Sequence, residues 1–118
     1  MEKVRKLRLE ELIKQHIMSM LARGDIKDPR VHWDINITRV QVAEDASIAK
    51  VYISSHKSDQ SVQKACDGLN HAQGFIRSQL GVVLKTRNTP KPLFYVDEQM
   101  KVAYRIHELL DSLDDTNV

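Results

Sequence analysis

The chain has 118 residues, the size of one domain, and its 42% hydrophobic content is enough to form a single core. Its one cysteine, Cys66, excludes an intrachain disulfide and a zinc site built from several thiolates, which fits a reducing compartment. The net charge of +2 hides an uneven distribution: residues 1–30 carry a net +3, residues 31–56 a net −1, residues 57–92 a net +4 and residues 93–118 a net −4.

Charged residues interrupt the first fifteen positions, leaving no apolar leader segment, and no run approaches the roughly 18 apolar residues that span a bilayer. A cytoplasmic protein without membrane contact is expected. Leu9, Leu12, Ile13, Ile17, Met20 and Leu21 fall on one stripe of a first amphipathic helix, which Gly24 is placed to terminate. Asp28-Pro29-Arg30 reads as a turn. Ile35, Ile37, Val40 and Val42, then Ala49, Val51 and Ile53, give two half-buried strands, with an irregularity near Thr38-Arg39. The short Glu44-Asp45-Ala46 link makes an antiparallel pair the economical arrangement.

Ser58 or Asp59 is placed to cap a second helix, whose stripe of Val62, Ala65, Cys66 and Leu69 continues past Gly74 as Ile76, Leu80, Val83 and Leu84. The phase nearly survives the glycine, so two helices meeting at an angle and one kinked helix both fit. An interior helical glycine costs roughly 1 kcal/mol relative to alanine. Ala72-Gln73-Gly74 therefore marks either a bend that serves helix packing or a place where a ligand approaches the backbone. Thr89-Pro90-Lys91-Pro92 must be extended, and Leu93–Val96 is a third short strand with Pro92 at its start or on an edge. Met100, Val102, Ala103, Ile106, Leu109, Leu110 and Leu113 form the stripe of a closing helix. Residues 114–118 are read as a short acidic end that frays. The order is helix, strand, strand, helix, bent helix, strand, helix, an α+β sandwich with helices on one face of a three-stranded sheet.

Between Phe75 and Pro92 stand Arg77, Lys85, Arg87 and Lys91 with no acid among them, a segment suited to a polyanion. Arg5, Lys6 and Arg8 join it if the N-terminus lies nearby, and Arg30 is a further candidate. The N-terminus of the helix near Phe75 offers unpaired N–H groups and a positive dipole end, and Gly74 would let an RNA backbone come close. Arg77 is equally readable as an ordinary surface residue or as lying over Trp33 or Tyr95. Phe75 and Phe94 have apolar neighbours and are expected in the core. With 5% aromatic residues and no aromatic–basic interleaving, the chain does not read as a single-strand stacking protein. Cys66 lies on an apolar stripe and is expected to be buried. The five histidines lack metal-ligand spacing, and nucleophile and nucleotide-phosphate motifs are absent, so no enzyme, metal, cofactor or small-molecule substrate is expected.

Several pieces together resemble a known family. They are Lys27-Asp28-Pro29-Arg30, Ala49-Lys50-Val51-Tyr52-Ile53-Ser54, Leu69 through Gly81 including Asn70-His71-Ala72-Gln73-Gly74-Phe75-Ile76-Arg77, Pro90 with Phe94, and Asp97-Glu98 followed by Arg105-Ile106-His107-Glu108-Leu109-Leu110. In order and content they are similar to bacterial ribosome-binding factor A, whose fold is a type II KH-like domain, here spanning residues 1–113. The resemblance implies that an Ala-x-Gly interhelical kink, Ala72-Gln73-Gly74, replaces the Gly-x-x-Gly loop of ordinary KH domains. It also implies a monomeric, non-enzymatic factor that binds free 30S small ribosomal subunits and 16S ribosomal RNA. Such a factor assists late processing of that RNA, particularly at its 5′ end, supports cold adaptation and leaves before translation. Val82 and Asn88 depart from the pattern, standing neutral where many relatives carry a cation.

Overall fold

Gly24 ends the first helix as the spacing requires: its φ of 70° lies in the left-handed region, and the cap N–H groups bond back to Met20 and Leu21. In a computed structural model of the protein, which describes residues 2–32 and 34–116 and side chains through residue 113, the elements are α1 (Lys3–Arg23), β1 (Asn36–Val42), β2 (Ile48–Ser54), α2 (Asp59–His71), α3 (Gln73–Leu84), β3 (Lys91–Val96) and α4 (Glu98–Thr116). Ser58 caps α2, its hydroxyl accepting from the Ser61 N–H at 3.2 Å.

The sheet order is β1-β2-β3. β1 and β2 are antiparallel, from Asn36 opposite Ser54 to Val42 opposite Ala49, with the register shift between Ile37 and Arg39 where the pattern broke. β2 and β3 run parallel, which demands a long crossover, and α2 and α3 provide it. Pro92 lies on an edge strand, where its missing N–H costs no ladder bond. The bulge has a tertiary use. The Thr38 hydroxyl donates to the buried carboxylate of Asp97 at 2.5 Å, and the same carboxylate accepts the Met100 N–H at 3.1 Å, tying β1 to the start of α4. Burial pushes the Asp97 carboxyl up, but these hydrogen bonds outweigh it and hold the group below its ordinary value.

Ile13, Ile17, Met20 and Leu21 of α1, Val62, Ala65, Cys66 and Leu69 of α2, and Ile76 and Leu80 of α3 pack on the Ile37, Val40, Val42, Ala49, Val51, Ile53 and Phe94 face of the sheet. Cys66 is buried as expected. Its Sγ donates to the Phe94 carbonyl at 3.2 Å, and burial pushes the thiol up to about 11, which makes it an unreactive packing residue.

Several apolar expectations fail, among them Leu12 and Val83, which stand on the predicted stripes yet are 38% and 44% exposed. Phe75 is 45% exposed, because the chain turns at Ala72 and sends Ile76, not Phe75, inward. The stripe of α4 also faces solvent, with Val102, Ile106, Leu109, Leu110 and Leu113 each more than half exposed. α4 leaves the sheet edge and is held near its base by Arg105 to Asp59 and by the His56 and Tyr104 rings, so the molecule extends 59 Å along its longest axis. The acidic end at 114–118 lies, for its side chains, outside the described residues.

Candidate nucleic-acid interface

The stretch around Gly74 is fixed from its N-terminal side by Asn70. The Asn70 side-chain amide donates to the Phe94 carbonyl at 2.9 Å, and its oxygen accepts the Phe94 N–H at 2.8 Å. Because β3 is an edge strand, its outward backbone groups have no fourth strand to pair with, and Asn70 imitates one. One residue after Asn70, at His71, α2 stops. Ala72, with φ −89° and ψ 8°, is the single residue between α2 and α3.

The bend therefore falls on Ala72. Gly74 sits in the first turn of α3 with helical backbone, and a Cβ added there would meet no atom within 4 Å. Gly68 is a contrast: a Cβ there would come within 3.0 Å of Asp28 Oδ1 and Val31 Cγ2, so the 28–31 turn needs that glycine. Neither turn geometry nor packing within the chain needs Gly74, which leaves bare backbone facing solvent. Gly74→Ala is accordingly expected to stabilise the fold by about 0.5–1 kcal/mol, read as a raised urea midpoint.

No side chain caps α3; the carbonyls of Gly68, Leu69 and Asn70 at the end of α2 accept backbone N–H groups at the junction, and the start of α3 keeps the positive end of its dipole. Beside it lies a hollow lined by Asp25, Lys27, Asp28, Pro29, His71, Ala72 and Phe75. Arg77 follows Gly74 by three residues and so shares its side of α3. Its Nε donates to the Thr89 carbonyl at 3.0 Å, which anchors the stem and leaves the exposed guanidinium edge free for a ligand. It does not lie over Tyr95, and Trp33 is outside the described residues.

At the other end of α3, about 18 Å away for a helix of 12 residues, Lys85 adopts a left-handed φ of 53° and opens the loop to β3. Lys85, Arg87 and Lys91 are exposed. The N-terminus does lie nearby: Arg5 and Leu9 of α1 line one hollow with Asp45, Ala46, Thr86, Arg87 and Asn88, and Arg5 also stands 3.8 Å from the exposed Glu2 carboxylate. Arg8 is exposed and unpaired among the described residues. Lys6 instead reaches Glu44 at 3.0 Å, and that hydrogen bond raises its pKa while lowering that of Glu44. Arg30 forks onto Asp28 at 3.0 and 2.7 Å and holds that carboxyl down to about 2. The arrangement thus groups Gly74, Arg77, Lys85, Arg87, Lys91, Arg5 and Arg8 around α3 and its following loop. Lys6 and Arg30 have much of their charge answered within the chain.

The residue pattern left two features unassigned. Asn70 carried no role of its own, because its partner is 24 residues away in sequence. Arg39, Tyr52 and Tyr95 gave no local signal, since cross-strand register alone brings them together.

The family model for ribosome-binding factor A matches residues 5–110. A ribosome-binding factor A of Borreliella burgdorferi strain ZS7 is 36% identical over 113 residues, covering 96% of this chain and 94% of the relative. One from Caldanaerobacter subterraneus is 36% identical over 107 residues, covering 91% and 87%. Among solved structures, a Thermotoga maritima protein assigned as a ribosome binding factor A superposes with a TM-score of 0.67 at 29% identity, over 80% of this chain and 89% of that one. At 21% identity, the crystal structure of ribosome-binding factor A from Thermus thermophilus supports the fold, with a TM-score of 0.66 over 77% of this chain and 93% of that one. Coordinates of the Thermus thermophilus factor have also been fitted into a cryo-EM map of a 30S complex. With near full-length relatives and the same arrangement of helices and sheet, the chain belongs to the ribosome-binding factor A family.

Proposed function

We propose that this chain binds the free 30S small ribosomal subunit through 16S ribosomal RNA and assists late maturation of the subunit, including processing at the 5′ end of that RNA. It acts as a monomeric cytoplasmic binding factor, needed most in the cold, and leaves before translation begins. The observation that carries the reading is the combination on α3 of an exposed glycine with no intramolecular purpose, a first turn without a side-chain cap and Arg77 on the same side. Backbone N–H groups and a guanidinium are complementary to phosphate, and Gly74 removes the Cβ that would hold an RNA backbone away. The 30S complex of the Thermus thermophilus relative supports the choice of partner.

Sedimentation of cell extract tests the proposal: the protein should travel with free small subunits, and co-migration with polysomes alone contradicts it. Affinity should fall steeply between low and moderate salt, because the counterions released on binding gain less entropy as the salt concentration rises. Gly74→Ala, although stabilising, should weaken small-subunit binding several-fold. A gain in stability with unchanged affinity would make the glycine irrelevant to docking.

The exposed stripe of α4 on an acidic helix favours a second reading, an adaptor contact with a basic protein partner. Ile106→Ser with Leu109→Ser should leave thermal stability within about 0.5 kcal/mol, because both side chains face solvent. RNA docking through α3 predicts unchanged small-subunit affinity in this variant, whereas a loss of tenfold or more assigns α4 to the interface.

A further inference from the structure

The face of the sheet turned away from α1, α2 and α3 carries chemistry that α3 docking leaves unused. Strand register sets Arg39, Tyr52 and Tyr95 side by side across β1, β2 and β3. The Arg39 guanidinium carbon lies 4.0 Å from the centre of the Tyr52 ring, and the Tyr52 and Tyr95 ring centres are 5.7 Å apart, inclined by 32°. Two residues along the strands, the next row is Gln41, Lys50 and Leu93, and Lys91 stands beyond it opposite Ile48. Arg39, Lys50, Lys91 and Tyr95 are exposed, and no residue of the three strands is acidic.

An ordinary solvated sheet face intersperses both signs of charge to stay soluble. This one pairs cations with flat aromatic rings, and the carboxylate that Arg39 influences, Asp97 just past β3, is buried. Arginine stacked on tyrosine keeps its N–H groups at the periphery, where they reach phosphate oxygens, while an open tyrosine ring offers an apolar plane of the size of a base. A folded duplex hides its base faces, so the chemistry selects an unpaired strand.

We infer that the outer sheet face binds a single-stranded RNA segment, with a base stacked on Tyr95 and the backbone following Arg39, Lys50 and Lys91. The inference rests on the small-subunit reading only for the origin of that RNA. It adds a stacking contact on the side of the sheet opposite α3.

Titration of the full chain with an unstructured oligouridine decamer, followed by NMR, separates the two surfaces. Amide shifts are expected at Arg39, Lys50, Tyr52 and Tyr95. Tyr95→Leu should weaken binding about tenfold, while Tyr95→Phe, which keeps the ring, should stay within about twofold. Arg77→Glu with Arg87→Glu should weaken decamer binding less than Tyr95→Leu does, although it should lower small-subunit affinity about a hundredfold. Shifts confined to α3 and the 85–91 loop, or equal affinity for Tyr95→Leu and the parent, overturn the inference. So does a Tyr95→Leu variant that loses the small subunit when the parent binds no decamer, since the face would then meet a ribosomal protein. Failure of small-subunit docking with decamer binding intact contradicts the earlier proposal and leaves this one standing.

Discussion

Asn70→Ala is expected to destabilise the protein by about 3 kcal/mol and to lower Tm by roughly 10 °C. The Asn70 amide holds both outward backbone groups of Phe94, at 2.8 and 2.9 Å, and Phe94 is only 2% exposed. Truncation leaves the Phe94 N–H without a partner and its carbonyl with only the weak Cys66 thiol donor, at a site water reaches poorly, where an unmet backbone group costs about 1–3 kcal/mol. Asn70→Asp is informative beside it: the carboxylate still accepts from the Phe94 N–H but sets a second acceptor against the Phe94 carbonyl. It should therefore also destabilise, and more as the carboxylate ionises. Thermal denaturation followed by circular dichroism checks both, and a loss below 1 kcal/mol for the alanine variant would show that the edge is held by other contacts. Asn70 is also the last tie before the Ala72 junction, so small-subunit affinity should fall in the same variant.

Charge reversal of Arg77 and Arg87 together is expected to lower small-subunit affinity about a hundredfold at low salt and to flatten its salt dependence. Both guanidinium groups are exposed and flank the loop after α3. The structural cost is small. Arg77 loses one exposed hydrogen bond, to the Thr89 carbonyl, and stability should change by no more than about 1 kcal/mol. Lysine at both positions keeps the charge but loses the fork that matches a phosphate, so an intermediate affinity is expected. Equal affinity for parent, lysine and glutamate variants would move the docking surface elsewhere.

Most of the architecture was legible because periodicity survives in short, local patterns. The α1 stripe, the alternation of β1 and β2 and the irregularity at Thr38 read directly from spacing, whereas the helix break, marked in sequence by Gly74, falls two residues earlier at Ala72. What periodicity cannot carry is the direction in which an apolar stripe faces. The repeat from Val102 to Leu113 is a sound helix signal, yet its face is solvated because α4 leaves the sheet edge. Phe75 misled for a related reason: a one-residue junction at Ala72 rotates the following helix, so apolar neighbours in sequence diverge in space.

The candidate site was legible to the same depth. The cationic run around α3 followed from charge counting, and the approach of Arg5 to Arg87 was conditional on a packing that α1 supplies. Lys6 and Arg30 illustrate the limit of counting, since each is answered by a carboxylate that only the fold or a two-residue turn brings close. The Arg39, Tyr52 and Tyr95 row needed register across three strands, which no linear pattern contains.

Crosslinking of the intact protein to purified small subunits, with the joined peptides and RNA positions mapped together, tests the central claim most directly. Docking through α3 predicts crosslinks from residues 73–91 and from the start of α1 to 16S ribosomal RNA, reduced strongly by Arg77→Glu with Arg87→Glu. Crosslinks confined to α4, or insensitive to that double reversal, would contradict it.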